Sequence, residues 1–239
     1  MTATLGGTSL RDSARALRTR GAWADLTALL DEHLAEVMSE PELANARGEA
    51  YLRSGALREG RAWFAKTIPI AERQGDRPAL RRALNMIGVA NFRLGELDAA
   101  KQEFERALEL GREDDDDLLV ARATNSLGMI ANIRARRERA LGLFSAAIAA
   151  YQRLGDVMGL AQCYHDIAIA FRDAGDLDRA DEHELRAMEF AREADNPMLL
   201  AQAWLGRAEI GHRKGDAAFA EAAALRAASE FATLPELIL

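Results

Sequence analysis

Small and apolar positions recur along this chain at helical spacing, and a longer period is laid over them. The segment NMIGVANFRLGELDAAKQEFERALEL (85–110) returns 40 residues later as NSLGMIANIRARRERALGLFSAAIAA (125–150), and after the same interval as HDIAIAFRDAGDLDRADEHELRAMEF (165–190). The register reaches back to Asn45 and forward to Leu205, and a sixth copy from Arg11 precedes the second by 34 residues. A fixed period of this length marks units that cannot bury their apolar face alone and stack on their neighbours.

Within each copy the repeated places are small. Ala14, Gly48, Gly88, Gly128, Ala168 and Ala208 align, as do Gly60, Ala100, Ala140, Ala180 and Ala220. Small side chains let two antiparallel helices approach closely, while Phe64, Phe104 and Phe144 fill the space beside them. Between the two helices stand Gly21, Gly55, Gly95, Gly175 and Gly215, with Ala135 the exception, where a left-handed helix terminus is required. Ser39 with Glu42 has the spacing of a capping box, and Asp76 near Pro78, like Asn196 before Pro197, sets a capping side chain ahead of a helix-starting proline. Gly75-Asp76 and Gly155-Asp156 mark the turn between copies. The acidic run Glu113 to Asp117 falls in the same turn, which predicts a solvated, helix-capping loop.

These features predict an all-α fold, a right-handed superhelical solenoid of about six antiparallel helix pairs spanning 9–231. The repeats are placed near 7–40, 41–80, 81–120, 121–160, 161–200 and 201–231, with tails over 1–8 and 232–239, the second a tail or a truncated continuation.

The pattern resembles the tetratricopeptide repeat family, through Leu127, Gly128, Ala140, Phe144 and Ala147 in the fourth copy and Ile87, Gly88, Gly95, Ala100, Phe104 and Ala107 in the third. The 40-residue period is longer than is usual in the family and is similar to that of kinesin light chains, spindle-orientation adaptors and bacterial regulators with repeat sensor domains. No proline closes each unit, and Asn91 and Ala131 stand where the family often has Tyr.

In a solenoid of helix pairs the first helix of each unit lines the concave surface. The stripe facing away from its partner helix is Arg82, Asn85, Val89 and Phe92 in the third repeat and Arg122, Asn125, Met129 and Asn132 in the fourth. Glu42, Asn45, Glu49 and Leu52 are the equivalents in the second, and Gln162, His165, Ile169 and Arg172 in the fifth. One column reads Asn45, Asn85, Asn125, His165. An amide offers a donor and an acceptor together, which suits the backbone of an extended peptide, and the resemblance to the long-period members implies that use here. The same column also suits a structural role, each Asn bonding the neighbouring helix to fix the stacking angle. Arg82 with Arg122, and Arg53 with Arg93 at the groove edge, predict a preference for acidic groups.

Composition narrows the classes. The 239 residues are 49% hydrophobic, enough for a folded core, and 6% aromatic, which favours thin helices packed through small side chains. Net charge is −7, and of 31 basic residues only Lys66, Lys101 and Lys214 are lysines, so no basic stripe marks a nucleic-acid surface. The single Cys163 excludes an internal disulfide, and no stretch reaches the length of a signal peptide or membrane span, so no membrane contact and a cytoplasmic home are expected. None of His33, His165, His183 and His212 forms a metal-ligand pair, Cys163 and His165 point to different faces of one helix, and Asp181 to Glu184 is placed on an exposed helix start. No phosphate loop or nucleophile elbow is present, so the chain is not expected to be an enzyme or to hold a cofactor. The expected function is a protein-interaction scaffold or adaptor holding an extended peptide in the concave groove, as in the sensor part of a bacterial regulator. The apolar ending FATLPELIL leaves open an alternative, a self-assembling module that forms homo-oligomers through its C-terminal end, with an effector domain outside this chain.

Overall fold

A computed structural model describes residues 9–233, which form thirteen helices and no strand. The expectations for 1–8 and for most of the FATLPELIL ending lie outside the described residues. The chain divides into two compact units, Met1–Asp114 and Asp115–Leu239.

The N-terminal unit holds α1 (Leu10–Thr19), α2 (Trp23–Glu32), the short α3 (Leu34–Val37), α4 (Pro41–Arg53), α5 (Leu57–Gln74), α6 (Arg77–Arg93) and α7 (Leu97–Glu113). The C-terminal unit holds α8 (Asp117–Ile133), α9 (Arg137–Leu154), α10 (Val157–Asp173), α11 (Leu177–Glu193), α12 (Pro197–Lys214) and α13 (Ala217–Phe231). From α4 onward successive helices pair as hairpins, and within each unit the first helix of one hairpin also packs on the first helix of the next, α4 on α6 and α10 on both α8 and α12.

What draws three successive hairpins together is a ring lying on a bare backbone. A Cβ added to Gly48, Gly88 or Gly128 would stand 2.9, 2.6 or 2.7 Å from Cε1 of Phe64, Phe104 or Phe144, so the phenyl occupies the volume that any larger residue would need. All three phenylalanines are fully buried. Burial of such a ring stabilises by roughly 1.5–3 kcal/mol, and the contact sets how near the two helices can come. On the other side of the first of these hairpins, Gly60 admits the Gly48 carbonyl, which a Cβ there would meet at 2.9 Å.

The turns follow the sequence. Gly21, Gly55, Gly95, Gly175 and Gly215 all have φ between 70° and 83°, and Ala135 adopts the same left-handed conformation at φ 55° without the freedom of glycine. Between hairpins, Gly75 and Gly155 lie at φ 66° and 65°, and Asp115 takes their place at φ 53°. Asp76, Asp116, Asp156 and Asn196 each accept the backbone N–H three residues on, at 2.9–3.1 Å, so the acidic run contributes a cap as expected. Asp114 meanwhile turns back to the guanidinium groups of Arg77 and Arg81.

Two local expectations are corrected. Ser39 and Glu42 form no capping box, because α4 starts at Pro41 with Glu40 as its cap residue, and the Ser39 hydroxyl donates instead to the Glu36 carbonyl at 2.8 Å. Asp181 to Glu184 is not an exposed helix start. Glu184 is only 1% exposed, and His183 is stacked 5.1 Å from the Phe171 ring and 6.0 Å from Tyr164.

Two substitutions test this packing. Gly128→Leu drives a side chain into Phe144 and is expected to cost about 1–3 kcal/mol, read as a lower thermal midpoint by circular dichroism. Ala135→Gly removes a strained left-handed alanine and is expected to stabilise by about 0.5–1 kcal/mol; an unchanged or lower midpoint would contradict the turn geometry.

Candidate functional site

The face formed by the first helices of successive hairpins carries the polar residues singled out in the sequence. In the N-terminal unit, an open cavity of about 220 Å³ at α4 and α6 is lined by Glu42, Asn45, Asp76, Pro78, Ala79 and Arg82. Asn45, 2% exposed, donates through Nδ2 to the Ala79 carbonyl at 3.0 Å. That bond orients the amide, and it leaves Oδ1 buried with no donor; Asn85 Oδ1 is buried and unpartnered in the same way. Glu49 accepts from both Arg18 Nε at 3.1 Å and Arg82 Nη2 at 2.7 Å. Arg93 donates to the Leu52 carbonyl at 3.0 Å, capping the end of α4, and Arg53 stacks over the Trp23 ring at 5.4 Å. Val89 and Phe92 are half-buried.

In the C-terminal unit, α8, α10 and α12 line an open cavity of about 310 Å³. Met129, Ile169 and Leu205 supply its apolar walls, and Gln162, His165, Asp166 and Arg172 its polar ones. Asn125 donates through Nδ2 to Asp166 Oδ2 at 2.6 Å, and Gln162 Nε2 to Asp166 Oδ1 at 3.1 Å. His165 Nδ1 lies 2.9 and 3.1 Å from the two Glu184 oxygens, where its N–H donates to them. Arg172 pairs with Glu209 at 2.8 Å, Asn132 donates to Asp173 at 3.1 Å, and Arg122 is exposed. The column of Asn45, Asn125 and His165 thus bonds neighbouring elements of its own unit. Among the described residues no group of three or more His, Cys, Asp or Glu is placed to hold a metal ion, and no helix is long and apolar enough to cross a membrane.

The repeat geometry agrees with comparisons to known proteins. A family model described as tetratricopeptide repeat matches residues 39–113 and 119–193, more than half of the chain. The chain belongs to the tetratricopeptide repeat family. A comparison with curated protein sequences gave no match. Among solved structures, a Rap protein complexed with competence and sporulation factor superposes with a TM-score of 0.78 at 14% identity, covering 87% of this chain and 60% of that one. NprR in complex with its cognate peptide NprX gives 0.77 at 16% identity, covering 95% and 66%. BtubC from P. vanneervenii gives 0.63 at 23% identity, covering 94% and 92%. At these identities the likeness is one of fold: a tetratricopeptide-type helical solenoid.

The residues that sequence reasoning missed are Asp166 and Glu184. Their signal was the period itself, since Glu184 stands 40 residues after Phe144, where earlier repeats place the buried ring. In this fifth tetratricopeptide repeat Ala168 replaces the glycine and the Glu184 carboxylate replaces the phenyl. A Cβ at Gly206 of α12 would overlap Glu184 Oε1, so the carboxyl group is sealed against the α12 backbone.

Burial sets the protonation of this cluster. It pushes Asp166 above its ordinary 3.8, with the His165 charge and the amides of Asn125 and Gln162 only partly opposing it. Burial likewise raises Glu184 above 4.5 against the hydrogen bond and charge of His165. For His165 burial disfavours the charged ring, but the bond to Glu184 and its charge prevail and hold the pKa above 6.5. Folded protein therefore binds more protons than unfolded chain as these groups titrate, and their contribution to stability is lost as pH rises. His183, lowered by its burial, changes only below its ordinary 6.5. The thermal midpoint is expected to fall as pH rises above 6.5, where the raised His165 gives up its proton; a midpoint rising with pH there would contradict the cluster.

Proposed function

We propose that this chain is a protein-interaction scaffold that holds an extended peptide on the face made by the first helices of its tetratricopeptide repeats. The observation that carries the reading is a cavity between the first helices of successive hairpins within each compact unit, lined in both cases by buried polar and by charged side chains. Each suits a side chain or two, whereas a cofactor needs a deeper enclosed site. Solved relatives in fold include a Rap protein and NprR, each with a peptide or protein factor bound, and this lends the reading support by analogy alone.

On this reading the buried acceptors of Asn45, Asn85 and Asn125 meet backbone N–H groups of the ligand, His165 extends the column, and Arg82, Arg122, Arg53 and Arg93 attract acidic groups. Met129, Val89, Phe92 and Asn132 provide the contact surface around them. Because the amide nitrogens of Asn45 and Asn125 already bond within the protein, these side chains both stack the helices and present an acceptor.

A partner recovered by pull-down supplies the peptide for calorimetric titration. Asn85→Ala with Asn125→Ala is expected to weaken binding by roughly 0.5–1.5 kcal/mol per residue, equally at low and high salt. Arg82→Gln with Arg122→Gln is expected instead to flatten the salt dependence, because screened long-range attraction has been removed. If the asparagine variant binds normally while its thermal stability drops, the column is structural and the reading falls.

A further inference from the structure

The chain's own repeats show what the fold requires at each register, and the fifth repeat departs from it in one place. Asn45, Asn85 and Asn125 give way to His165; Ala46, Met86 and Ser126 to Asp166; Phe64, Phe104 and Phe144 to Glu184. The second, third and fourth repeats fold with uncharged residues at all three places. Two carboxylates have nevertheless been buried here, at 3% and 1% exposure, and desolvating a charge costs several kcal/mol unless it is compensated.

Compensation is complete for one carboxylate and incomplete for the other. Glu184 has the imidazole of His165 against both its oxygens. Asp166 has two amide donors and no cation bonded to it, yet it lies on the wall of the 310 Å³ cavity. The charged groups around that space come from three helices: His165, Asp166 and Arg172 on α10, Glu184 on α11 and Glu209 on α12, while α8 contributes Met129 to the wall and Asn125 behind Asp166. Arg172 is already paired with Glu209. The orphaned side-chain atoms nearby are two acceptors, Gln202 Oε1 on the cavity wall and Asn125 Oδ1, and one donor, Arg172 Nε, also on a wall residue. Since the Asn125 nitrogen faces a carboxylate, its oxygen cannot be exchanged for a donor by turning the amide over.

A space walled by the carboxylate of Asp166, to which no cation is hydrogen-bonded, by the carboxylate of Glu209 and by Met129, Ile169 and Leu205 suits a cationic head on an aliphatic stem. We infer that this cavity is a subsite for a basic side chain of the bound peptide, arginine or lysine, with Asp166 as its anion and the apolar wall along its stem. The inference rests on the reading of this face as the peptide-holding one, and it assigns the C-terminal unit a charge preference opposite to the acidic one drawn from the arginine pairs. A guanidinium matches the spread of acceptors better than an ammonium.

The test uses the full chain with N-acetyl-arginine N-methylamide and its neutral isostere N-acetyl-citrulline N-methylamide, titrated while the side-chain NMR signals of Asn125, Gln162 and His165 are followed. The arginine probe is expected to bind at least tenfold more tightly than citrulline, and more tightly at pH 8.5 than at 6.5, since the positive charge on His165 beside the cavity repels it. Asp166→Asn, checked for folding by circular dichroism, is expected to reduce the preference to about onefold, since the charge it depends on is gone. Should that variant unfold, Glu209→Gln at the rim keeps the test alive, with a smaller loss of preference expected. Equal binding of the two probes by the wild type, no response to either, or a preference that survives Asp166→Asn overturns the inference. A recovered partner peptide that binds wild type and Asp166→Asn alike would overturn it and leave the peptide-holding face standing. Arginine-selective binding together with partner binding that ignores every variant of this face would keep the subsite and remove the broader reading.

Discussion

The contact between a phenyl ring and a glycine backbone sets the geometry of three successive hairpins. Gly48, Gly88 and Gly128 each give up a side chain so that Phe64, Phe104 and Phe144 can lie against the helix backbone, and the buried alanines along the same helices extend the close approach. Aromatic residues are scarce, so these rings are concentrated where the apolar area they bury does most to join two helices. The turns answer to the same constraint. Short left-handed turns join these helices, and Ala135 adopts one despite its Cβ.

The fifth repeat shows what happens when that contact is replaced. With Ala168 for glycine and Glu184 for the ring, the space is filled by a carboxyl group that needs a hydrogen-bonding partner in a low-dielectric setting. His165 supplies it from α10, and Gly206 makes room for it from α12. Three elements have thus become interdependent through one polar group, where an apolar ring would have made few directional demands.

Under the proposed reading, stacking and recognition draw on the same side chains. Asn45 donates to the next hairpin and still has an oxygen to spare; Asn125 does the same toward Asp166. Membership of the tetratricopeptide repeat family accounts for the helical scaffold, and the fifth repeat departs from its neighbours within it.

Much of this was legible in the sequence. The 40-residue period, the small residues at Gly88 and Gly128, the buried ring register and the turn glycines are local or periodic properties, and they determined helix positions, hairpins and family without reference to coordinates. The sequence also placed Asn45, Asn85, Asn125 and His165 in one column, because helical spacing alone decides which residues share a face. What each of them bonds was decided only by tertiary structure. Whether Asn125 meets a ligand or Asp166, and whether Glu184 lies in solvent or under α12, depends on how far apart two helices come to rest and on which side chain arrives first. That distance is a property of packed surfaces, set by the rings and glycines of the neighbouring repeats, and no single stretch of sequence contains it.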